Sequence, residues 1–157
     1  MRRLRVIAFN EAEKDLSLRQ EIVQVIYQYG DPNGVLDLAI GLASRETDPF
    51  RAAEAFQSMT PADGAMQLTK ENRAKFLSHG FLLLGRIDDG KSGRGESMAG
   101  HLGYVIGIKP VREGQSPFAP DRMLPEYGGG RGLTEAYFQK SVDEAMAWWE
   151  KHAGEYE

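Results

Sequence analysis

Apolar and polar positions along the first third of the chain follow the spacing of amphipathic helices. Between residues 18 and 29, the apolar side chains recur every three or four positions: Leu18, Ile22, Val25, Ile26 and Tyr29. This pattern predicts a helix with one core-facing stripe. We expect it to begin at Ser17, which forms a capping box with Gln20, and to end at Gly30.

Further helix starts are indicated by polar capping residues. Asp31-Pro32 and Asp48-Pro49 each place a side-chain acceptor before a proline, which favours a helix N-terminus. Thr69 could cap a fourth helix that ends near Gly80, and Thr134 could cap the last one, over residues 133–153. The Asp-Pro starts and the two threonines therefore predict four helices besides the first.

Short apolar or alternating runs predict three strands, over residues 4–9, 81–86 and 102–112. In the third run the bulky residues alternate with Gly103 and Gly107, which leaves one bare face that a neighbour could approach. We therefore predict a single α+β domain. Its helical part covers 14–80, a glycine-rich loop and small antiparallel sheet cover 81–126, and a long C-terminal helix closes it.

Composition and charge narrow the classes of partner. The chain has 157 residues, 41% of them hydrophobic and 27% charged, with no cysteine. Its net charge of −4 comes entirely from residues 134–157, and its isoelectric point is near 5.5. We therefore expect no nucleic-acid partner, since such proteins carry a basic face. No apolar run approaches the roughly 20 residues of a membrane span, so we expect no membrane association and a cytoplasmic or virion location.

One stretch matches the P-loop pattern G-x-x-x-x-G-K-[ST], with Gly85, Gly90, Lys91 and Ser92 at the defining positions. A nucleotide-binding enzyme using this loop is therefore one alternative function. Two aspartates lie inside the loop, and the glycines that follow it disfavour the helix that a P-loop needs. We expect a solvated loop instead.

Other catalytic arrangements are missing from the sequence. His79, His101 and His152 lack metal-ligand spacing, and no nucleophile and base stand in a known motif. We accordingly expect no enzyme activity, no catalytic or metal-binding residues and no cofactor.

The C-terminal half resembles the neck or tail-completion (head–tail connector) proteins of tailed phages. The resemblance covers residues 101–152: the predicted strand Gly103–Ile108, the turn at Glu126, Tyr127 and Gly128, and the helix from Leu133. It implies a non-enzymatic structural component of the virion that acts through subunit interfaces as a homo-oligomer or larger assembly.

The candidate interface residues are Glu126, Tyr127, Gly128, Gly129, Arg131 and Trp148. The glycine run 128–132 could be an anion-binding nest, or it could serve as a hinge or a tight chain entry to the helix. Trp148 could anchor an interface or cover a neighbouring loop. A small acidic inhibitor or regulatory protein-binding module, working through its loops and acidic tail, is a further alternative.

Overall fold

In a computed structural model, residues 1–10, 15–87 and 93–156 are described, and all the regular structure in these ranges is helical. The α+β prediction is therefore wrong, because no strand occurs in the described part of the chain. The helices, in chain order, are α1 (Arg2–Ala8), α2 (Leu16–Tyr29), α3 (Leu36–Ala43), α4 (Pro49–Met59), α5 (Ala62–Ala65), α6 (Lys70–Arg86), α7 (Arg94–Ile106) and α8 (Glu135–His152).

The chain forms two compact units, Met1–His79 and Gly80–Glu157, and the boundary falls inside α6. None of the described helices combines the length and the apolarity that a membrane crossing requires.

The three predicted strands belong to helices α1, α6 and α7. Residues 4–9 fall in and just after α1, and 81–86 complete α6, which continues past the predicted end at Gly80. The third run begins in α7, which stops at Gly107 with φ +89°. A short apolar run lacks the length to distinguish a buried helix turn from a strand, and here packing in the compact units decided for helix.

Helix starts were predicted with mixed success. Asp48 and Thr134 cap α4 and α8 as predicted, each accepting a hydrogen bond from a backbone N–H of the first turn. The cap of α2 is Asp15, which accepts from the N–H of Leu18, and not Ser17. Asp31 accepts from the N–H of Gly34 in a turn, so α3 begins only at Leu36. An Asp-Pro pair serves a turn or a helix equally well.

Helix α2 is central to the first unit, where it contacts α1, α3, α4 and α5. Ile26 and Tyr27 are fully buried, and so is nearly all of Arg19, whose Nε donates a hydrogen bond to the carbonyl of Ala8. This bond ties the end of α1 to α2. The predicted core-facing stripe is only partly right, because Ile22 and Ile26 are buried. Its other members, Leu18, Val25 and Tyr29, are 39%, 40% and 74% exposed.

In the second unit, α7 packs against α8. The ring of Phe81 on α6 stacks on Trp149 of α8 with centroids 4.6 Å apart. The bare face predicted for residues 102–112 lies on a helix, where Gly103 meets Pro117 and Phe118 of the following segment. A Cβ on Gly103 would lie 2.7 Å from Pro117 Cβ, so the glycine allows this close approach.

We expect Gly103→Ala to destabilise the protein by about 2 kcal/mol, because Pro117 and Phe118 would have to move. Urea unfolding followed by circular dichroism measures the change. Gly41→Ala in α3 is the control, since an added Cβ there meets nothing within 4 Å and alanine favours helix. Equal effects of the two substitutions would contradict the close-packing argument.

Candidate functional site

The segment between Asp121 and Thr134 folds into a compact loop at the start of α8. A short 3₁₀ turn, Pro125–Tyr127, forms its tip, and the N–H of Gly130 donates to the carbonyl of Arg122, which joins the two arms. The Thr134 hydroxyl donates to the carbonyl of Glu126 at 2.9 Å while its oxygen caps α8. The loop is therefore fastened to the helix that follows it.

A cleft of about 370 Å³ opens between the two arms of this loop. We call it the arginine cleft, because two guanidinium-bearing residues contribute to its wall. It is lined by Arg122, Met123, Gly130, Arg131, Gly132 and Leu133. The site thus combines two positive charges with the apolar side chains of a methionine and a leucine.

The two arginines of the cleft keep their charges unpaired. Neither the Arg122 nor the Arg131 guanidinium forms a hydrogen bond or an ion pair within the described ranges. By contrast, Arg112 in the same unit forms a two-pronged ion pair with Asp121. Unpaired guanidinium groups beside a cavity attract carboxylates or phosphates, which they bind in a bidentate manner.

The main chain of the glycine run contributes little to anion binding. The N–H groups of Gly128, Gly129, Gly130 and Arg131 all donate to carbonyls of the same loop. An anion nest needs successive N–H groups that point into solvent. The nest hypothesis is therefore wrong for these four groups, and the tight entry to α8 describes this run better.

Asp121 holds the first arm of the loop in place. Its carboxylate accepts from Nε and Nη2 of Arg112 at 2.6 and 2.9 Å and from the N–H of Met123 at 2.9 Å. The Arg112 guanidinium, followed by the Met123 N–H, lowers the pKa of Asp121. The neighbouring Arg122 has a smaller effect in the same direction.

The structure brings five of the predicted interface residues into this one loop. Arg131 lines the cleft, Glu126 is exposed, and Tyr127 is half-buried with its ring edge-on to Tyr137. Gly128 and Gly129 have φ of +119° and +57°. Sequence reasoning missed three residues of the cleft, Arg122, Met123 and Leu133, because they come close together only when the loop folds.

Trp148, the sixth candidate, lies near the other end of α8 in an aromatic cluster. It is half-buried, stacks on His152 with centroids 4.4 Å apart, and has Phe81 and Phe118 about its ring at 6.1 and 6.3 Å. These contacts place the indole against its own unit. Its role as an interface anchor stays a prediction.

Only part of the sequence that matches the P-loop pattern lies within the described residues. Gly90, Lys91 and Ser92 lie outside them, while Gly85 lies in α6. A P-loop follows a strand, and the residues before Gly85 are helical. However, a helix does begin at Arg94, so the expectation that the glycines prevent one there was wrong.

No group of three or more His, Cys, Asp or Glu residues that could hold a metal occurs among the described residues.

Comparison with known proteins identifies no relative. No protein-family model matches the sequence, no curated protein is significantly similar to it, and no solved structure matches it.

We expect Arg112→Ala to raise the pKa of Asp121 toward the ordinary aspartate value, measured by NMR titration of its side-chain carboxyl. Arg122→Ala should raise it less, since Arg122 acts only through its charge. The lowered pKa means that the stabilisation from ionised Asp121 is present above the ordinary aspartate pKa. It is lost as the pH falls through the lowered value. A larger shift in Arg122→Ala would contradict this assignment.

Gly128→Ala should destabilise the loop by about 2 kcal/mol, because alanine is strained at φ +119°. The added Cβ would also lie 1.6 Å from the carbonyl oxygen of Gly132. Chemical denaturation gives the free energy of unfolding. Gly132→Ala is the matched control from the same loop, as its Cβ would meet nothing within 4 Å. If both variants unfold like the parent, this turn does not restrict the loop.

Proposed function

We propose that this chain is a non-enzymatic protein-binding module that holds an acidic segment of a partner in the arginine cleft. The observation that carries the proposal is a cavity of about 370 Å³ lined by Arg122 and Arg131, whose guanidinium groups form no ion pair within the described part of the chain. Carboxylates of a partner would complete the hydrogen bonding of both groups.

The apolar part of the cleft supports a protein segment as the ligand over a small inorganic anion. Met123 and Leu133 are 49% and 45% exposed, so a partner side chain would bury apolar area on them. The cleft also lies at the start of α8, where the helix dipole adds positive potential. An acidic segment with an apolar residue fits all three features.

This proposal retains the prediction that the chain acts through protein interfaces, but it does not include the prediction that the chain is a virion component. The strand that carried the resemblance to phage neck proteins, Gly103–Ile108, overlaps the end of α7. Membership of that family therefore stays a prediction without structural support. Acting as an acidic inhibitor and binding nucleotide at Lys91 also remain alternatives, the latter outside the described residues.

The test is the binding of a fluorescein-labelled peptide of ten glutamates, followed by fluorescence anisotropy. Exposed ion pairs contribute up to about 1 kcal/mol each, so removing two of them should weaken binding about tenfold. We expect this loss in the double variant Arg122→Ala, Arg131→Ala. Binding should also weaken as salt rises from about 50 mM to about 500 mM.

The matched control is Arg45→Ala, Arg51→Ala, which removes the same charge from two exposed arginines of the first unit. Like the cleft arginines, these two form no hydrogen bond or ion pair through their side chains with the described residues. An equal loss of affinity in both double variants would indicate nonspecific charge attraction. That result, or a parent protein that does not bind the peptide, would disprove the proposed function.

A further inference from the structure

Among the described residues, two arginines without ion pairs lie at the start of α8, and two carboxylates without ion pairs lie at its other end. The arginine cleft lies at its beginning, next to Thr134, and its last turn leads into an acidic end. Residues 150–157 contain three acidic residues and one lysine. We call Glu150 and Glu155, which are both exposed, the acidic end. Neither carboxylate forms a hydrogen bond or ion pair within the described ranges.

The acidic end is held in a defined position by aromatic contacts. The ring of Tyr156, one residue after Glu155, packs at a tilt of 31° against Trp149, with ring centroids 5.8 Å apart. His152 stacks on Trp148, and its Nδ1 donates to the carbonyl of Trp148 at 2.7 Å. These contacts fold the residues after α8 back onto its last turn. The carboxylates are thus presented with less conformational entropy to lose on binding.

The acidic end cannot reach the arginine cleft of the same chain. Helix α8 has 18 residues, and at 1.5 Å per residue it is about 27 Å long. A rigid helix of this length keeps the unpaired guanidinium groups and the unpaired carboxylates apart. Complementary charges that the same chain cannot bring together can meet only between two molecules.

We propose that the arginine cleft of one copy binds the acidic end of α8 of a second copy, so that copies associate head to tail. This inference rests on the proposed function and names the occupant of the same cleft. Each contact leaves one cleft and one acidic end unused, so association extends to a ring or a filament. Because exposed ion pairs are weak and screened by salt, the assembly forms at high concentration and low salt.

Sedimentation velocity from about 10 μM to about 1 mM protein tests the association at low salt. We expect the average mass to rise with concentration and to return to the monomer value when salt is added. A monomer throughout this range at low salt would overturn the inference.

Two charge-reversed variants test which surfaces meet. The cleft variant carries Arg122→Glu and Arg131→Glu, and the end variant carries Glu150→Lys and Glu155→Lys. Each alone places like charges at every contact and should remain monomeric. An equal mixture makes both kinds of contact complementary again, so association should return to at least half of the parent's mass increase. Association of either variant alone, or a monomeric mixture, would overturn the inference.

Circular dichroism of the two variants provides the folding control, and the recovery of association in the mixture shows independently that both remain folded. The decaglutamate peptide separates this inference from the proposed function. If the peptide binds the cleft while the parent protein stays monomeric, the self-association is wrong and the cleft serves another acidic partner. If the parent does not bind the peptide, the proposed function itself fails.

Discussion

The turn at Gly128 is the constraint on which the candidate site depends. Its φ of +119° and the carbonyl of Gly132 beside it leave no room for a side chain. Because the chain reverses there, the N–H of Gly130 reaches the carbonyl of Arg122. This bond brings Arg122 and Arg131, nine positions apart in sequence, to one cavity. Without the reversal, the two charges would be separate surface residues with no shared ligand.

Helix α8 connects this site to the rest of its unit. At its start, Thr134 caps the helix and also binds the carbonyl of Glu126, so the loop and the helix share one anchor. Along its length α8 packs on α7, and near its end Trp149 stacks on Phe81. A helix fixed at both ends holds its terminal charges at a constant separation, which suits recognition between molecules.

The features of the fold that could be predicted are those that depend on a residue and its near neighbours in sequence. Asp48 and Thr134 cap helices because their side-chain oxygens satisfy N–H groups a few residues away, which requires no distant contact. The predicted strands were wrong because short apolar or alternating runs are compatible with either structure. The Gly103 face illustrates the limit. Its role in close approach was predicted, but the glycine was assigned to a strand and lies in helix α7.

The sequence by itself determined the caps of α4 and α8, the glycine positions that allow tight turns, and the excess of acidic residues after position 133. These properties follow from single residues and their near neighbours. Only the tertiary structure decided that all the regular structure in the described part of the chain is helical, and that Met123 and Leu133 join two arginines around one cleft. The physical reason is that packing and loop closure depend on residues far apart in sequence, and their free energies exceed local preferences.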